Sequence, residues 1–98
     1  MRHRERFEAL ITRVLGPAQA DLEIRMAALS GRPLPGLLAP WAEEVRNRAD
    51  SISDEEVSSL RSAGLSDDVI FEITVCLAVG EGERRRAAWR RVRGAACD

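Results

Sequence analysis

Residues 53–82 read SDEEVSSLRSAGLSDDVIFEITVCLAVGEG, and their punctuation decides the fold. Ser53 followed by Glu56 is a capping box: the hydroxyl accepts from the backbone N–H three residues on, and the carboxylate reaches back. The short helix it opens turns Val57 and Leu60 inward and stops near Gly64. Ser66 caps the next helix, and Asp67 and Asp68 favour its positive end. From Val69 to Val79 that helix is apolar on nearly all sides apart from Glu72 and Thr74, the pattern of a helix buried all round. Gly80 and Gly82 each lower helix propensity by about 1 kcal/mol relative to Ala. They are still compatible with one continuous helix to about Val92 if another backbone packs closely there.

Upstream, helical spacing also dominates and no strand pattern is convincing. A first helix is expected from about Arg2 to Leu15, with Phe7, Leu10, Ile11 and Val14 on one stripe. Gly16-Pro17 ends it. A second is expected from about Ala18 to Leu29, with Leu22, Met26 and Leu29 on its inner face and Ser30-Gly31 as its stop. Residues 31–36, GRPLPG, cannot continue a helix. A third helix starts near Pro40 and turns Leu38, Trp41, Val45 and Ala49 one way. The expected architecture is an all-α bundle of about five helices with a long apolar C-terminal helix. It forms one domain over residues 1–98, with N-terminal helices in 1–30 and a core in 37–93.

Composition narrows the chemistry. Hydrophobic residues make up 45% and charged residues 32% of the 98, which argues against disorder. The net charge of −1 creates no field that favours nucleic acid or an anionic membrane. All 15 basic residues are Arg, so lysine Schiff-base or nucleophile chemistry is excluded within the chain. There is no Tyr, and the one His is His3. Cys76 and Cys97 have neither a redox nor a zinc spacing, so a stable disulfide, a metal site and a cofactor are not expected. Arg2, Arg4, Arg6 and Ala18-Gln19-Ala20 imitate a signal peptide, but Glu8 and Arg13 interrupt the apolar stretch one requires. No run reaches the ~18 apolar residues that suggest a membrane span. A cytoplasmic, reducing location fits these features best.

Residues 53–86, SDEEVSSLRSAGLSDDVIFEITVCLAVGEGERRR, resemble the C-terminal helical hairpin of the carboxymuconolactone decarboxylase and alkyl hydroperoxidase D superfamily. The shared features are the capped acidic start, the Ala-Gly-Leu-Ser turn, the acids opening the next helix, the apolar run and the small-residue-to-Arg segment. The Leu/Pro loop and Trp-bearing helix upstream fit a small cysteine-free branch. The resemblance implies an all-helical subunit that associates through its long helix, as a homo-oligomer or with a protein partner. In the peroxidase branch a Cys-x-x-Cys and His do the chemistry; this chain has neither arrangement, so peroxidase activity is not expected. The decarboxylase branch implies an enzyme acting on a small carboxylated substrate through His and acids.

The missing dithiol would fall near Trp41, Glu44 and Arg48. Glu44 and Arg48 form an i, i+4 pair that reads as a solvated helix face or as a repurposed site for a small acid. Glu72 is the remaining weak catalytic candidate, either a buried acid or the partner of an Arg from another helix or subunit. Cys76 lies between Val75 and Leu77, where a thiol packs rather than reacts. The expected interface comprises Val69, Ile70, Phe71, Ile73 and Leu77, with Trp89. The run Arg84 to Arg93, RRRAAWRRVR, is read as a solvated helix end, then as a protein interface, and last as a nucleic-acid or membrane contact.

Overall fold

The structure, a computed structural model, describes residues 4–6, 8–10, 16, 18–48, 50 and 52–97, the last three without their side chains. Phe7, Ile11, Val14, Pro17, Ala49 and His3 lie outside the described residues. Every regular element among the described residues is a helix, and they contain no strand. Residues 4–6 and 8–10 are helical, followed by α1 (Leu22–Ser30), α2 (Leu38–Arg48), α3 (Asp54–Ser62) and α4 (Asp67–Cys97).

Local chemistry sets most boundaries. Asp21 caps α1, its carboxylate accepting from the Glu23 N–H at 2.8 Å, and the helix therefore starts later than Ala18. Gly31, at φ 78°, closes it in the left-handed conformation. The capping box of Ser53 and Glu56 is formed in both directions. Ser66 Oγ accepts from the Val69 N–H at 3.2 Å and opens α4. α2 starts at Leu38, and Pro40 sits in its first turn, where a missing N–H costs no helical bond.

α4 is the axis on which the other helices assemble, with α1 and α2 packed along it. Its inner positions Ile70, Ile73, Cys76 and Leu77 are buried with Ala28 of α1, Trp41, Ala42 and Val45 of α2, and Leu60 of α3. The Trp41 indole N–H donates to Thr74 Oγ1 at 3.1 Å, and the Thr74 hydroxyl donates to the Ile70 carbonyl at 2.7 Å. The buried ring thus keeps a polar partner inside the core.

Gly80 explains how α4 continues through a glycine. A Cβ there would overlap the Leu29 carbonyl oxygen and lie 2.8 Å from its carbon. The two helix backbones touch, and only glycine allows that crossing. Gly82, two positions on, has open space where a Cβ would be.

Two expectations are corrected. α4 is long but not apolar: only one face of its first half is buried, Phe71 stays 68% exposed, and residues 84–93 are dominated by Arg. No described helix is long and apolar enough to cross a membrane. In α1 the inner face is not Leu22 and Met26, which are 47% and 43% exposed. Arg25 and Ala28 face inward instead, because the close crossing at Gly80 presents that side of α1 to α4.

Candidate functional site

The acid and base candidates are dispersed. Glu44 and Arg48 share the outer part of α2, where Arg48 Nε lies 3.3 Å from Glu44 Oε2. That oxygen is shielded from water, and the ion pair lacks hydrogen-bond geometry. Glu72 lies on a different side of the bundle, on α4. Its carboxylate accepts the backbone N–H of Ala20 at 2.6 Å and of Gln19 at 3.0 Å. Among the described residues it holds the chain leading into α1, and no ion pair with an Arg is found there. The structure therefore does not bring Glu44, Arg48 and Glu72 together.

Arg25 completes the clamp begun by Glu72. Although only 4% exposed, it donates through Nε to the Ala20 carbonyl at 3.1 Å and through Nη1 to the Gly16 carbonyl at 2.8 Å. Carboxylate and guanidinium thus satisfy opposite polar groups of one turn. The Cys76 thiol, fully buried nearby, is pushed above its usual range mainly by burial, with Arg25 opposing that rise and Glu72 adding to it. Such a thiol packs and does not attack.

A pocket of about 300 Å³ opens between α2 and α3, lined by Leu37, Pro40, Trp41, Glu44, Glu56, Ser59 and Leu60. Its ionisable lining groups are two carboxylates, one of which, Glu56, also closes the capping box. A second, more polar depression of about 350 Å³ lies between the end of α2 and α4, where Arg85 donates to the Arg46 carbonyl at 3.0 Å. Among the described residues no group of His, Cys, Asp and Glu could hold a metal ion.

The expected interface residues divide. Ile70, Ile73 and Leu77 belong to the chain's own core, and Val69 is partly buried against it. Phe71 and Trp89 remain on the surface, 68% and 61% exposed. They belong to a longer stripe that the sequence reading missed: Phe71, Val75, Ala78, Gly82, Arg85, Trp89 and Val92. Its steps alternate between four and three residues, the repeat that keeps one helix face turned to a partner helix. Val75 is half-buried, and the other six positions are exposed. The signal was present in the spacing, but it was hidden inside an apolar run read as buried on every side.

The basic end of α4 is partly neutralised by its own helix. Glu81 pairs with Arg84 at 3.1 Å and with Arg85 at 3.2 Å, and Glu83 with Arg90 at 3.3 Å. Arg84 also donates to the Leu29 carbonyl at 3.1 Å, satisfying the end of α1. Arg86, Arg91 and Arg93 make no ion pair among the described residues. No protein-family model, curated protein or solved structure matches the chain.

Proposed function

We propose that this protein is a self-associating helical module, an alkyl hydroperoxidase D-like accessory protein without the redox dithiol, whose working surface is the outer face of α4. The observation that carries the reading is the row of large apolar side chains left in water on one stripe. Phe71, Trp89 and Val92 are 68%, 61% and 60% exposed. An extended exposed apolar surface is a mark of association. The alternative, a decarboxylase-like enzyme for a small carboxylated substrate, meets the wrong polarity in the α2–α3 pocket. Glu44 and Glu56 line it, and a carboxylated ligand would be repelled there.

Light scattering coupled to size exclusion tests the reading. An assembly heavier than the 10.8 kDa chain is expected at micromolar concentration. A monomer mass throughout that range would discard it.

A further inference from the structure

We infer that the partner of α4 is α4 of a second copy, packed antiparallel about a two-fold axis level with Gly80. The inference rests on the association reading and specifies its geometry.

Three features of the stripe point to this occupant. First, it is self-complementary under reversal. Phe71 and Trp89 lie nine residues to either side of position 80, and Ala78 and Gly82 lie two to either side. Antiparallel pairing therefore sets each Phe71 against the other chain's Trp89, while the smallest residues meet at the centre. Aromatic pairs of this kind are favourable beyond their area burial. Second, Gly82 borders the open depression beside α2 but is required by no close contact within its own chain. Gly80 is required by the Leu29 carbonyl, whereas a Cβ at 82 would meet nothing within 4 Å. Glycine is disfavoured in an exposed helix interior relative to Ala, and close approach of a second helix accounts for it. Third, charge selects the direction. α4 begins with Asp67, which pairs with Arg61, and Asp68, which accepts from Gln19, and it ends with Arg91 and Arg93, for which no ion pair is found among the described residues. Antiparallel packing sets the acidic start of one helix beside the basic end of the other and opposes the two helix dipoles favourably. Parallel packing would stack acids on acids and arginines on arginines. Arg85, also on the stripe, is drawn toward α2 by the Arg46 carbonyl.

The test uses the full chain with Arg90→Cys and Cys97→Ser, spin-labelled at position 90; Cys76 is buried and escapes the label. Light scattering should give a dimer. Antiparallel pairing about position 80 places the two labelled backbone positions about 30 Å apart along the axis. Parallel, in-register pairing places them ~10 Å apart. A dimer with the short distance overturns this inference and leaves the association reading standing, whereas a monomer overturns both. Phe71→Glu and Trp89→Glu, both at exposed positions, should each weaken the dimer at least tenfold with helicity unchanged. A dimer indifferent to both substitutions overturns the proposed seam.

Discussion

The Cys76 thiol sits at full burial beneath the α1–α4 crossing, within electrostatic reach of Arg25 and Glu72. Its raised pKa makes stability depend on alkaline pH in a way this composition isolates. A free thiol ionises near pH ~8.5, while the buried one keeps its proton to higher pH. Below that range both states are protonated and the contribution of burial is fully present. As pH rises through it, the unfolded chain loses a proton that the folded chain retains, so stability falls with a slope of up to ~1.4 kcal/mol per pH unit until the folded thiol also ionises. The chain contains no Lys or Tyr to obscure the effect. Urea titrations between pH 8 and 10 should show this decline in the native chain and in Cys97→Ala, and a flatter profile in Cys76→Ala. An equal slope in all three would mean that the thiol ionises as readily in the fold as out of it.

At the scale of elements, α1 is placed by polar groups from far along the chain. Glu72 accepts from the Gln19 and Ala20 N–H groups, and Arg25 donates to the Gly16 and Ala20 carbonyls. Hydrogen bonds to charged groups contribute ~1.5–3 kcal/mol. Glu72→Ala is therefore expected to cost about that much in urea denaturation and to speed hydrogen exchange at the Gln19 and Ala20 amides ahead of the core. Unchanged protection at those two amides would remove the clamp from the account. The same contacts show what was legible beforehand. Ser53, Glu56, Ser66 and Gly31 act on backbone groups a few residues away, so their helix boundaries could be read from the string. The inner face of α1 could not. Arg25 is buried because carbonyls of a preceding turn meet it, and that turn is held by a carboxylate 52 residues beyond Ala20. Helical spacing alone nominated Leu22 and Met26, which the crossing leaves outside. For the candidate site, Phe71 and Trp89 were recognisable as large apolar residues. The stripe joining them required knowing that α1 occupies the opposite face of α4 at Gly80, and that α2 leaves an open depression beside Ala78, Gly82 and Arg85.

The whole molecule is elongated, 52 × 28 × 19 Å with a radius of gyration of 15.0 Å, against about 13 Å for a rounded domain of this length. α4 supplies the long dimension, because 31 helical residues span ~46 Å, and its residues 88–94 are exposed. Two glycines on this one helix separate the demands of folding from those of assembly. Position 80 faces a backbone of its own chain and position 82 faces outward. In a library carrying every amino acid at each site, selection for folded protein should leave only glycine at 80 and admit many residues at 82, Ala first among them. Selection for assembly should then narrow 82 as well. Two deep-sequenced pools from one library would thus report the inside and the outside of the same helix, read at positions only about half a turn apart. A position 82 equally permissive in both pools would show that nothing approaches that face.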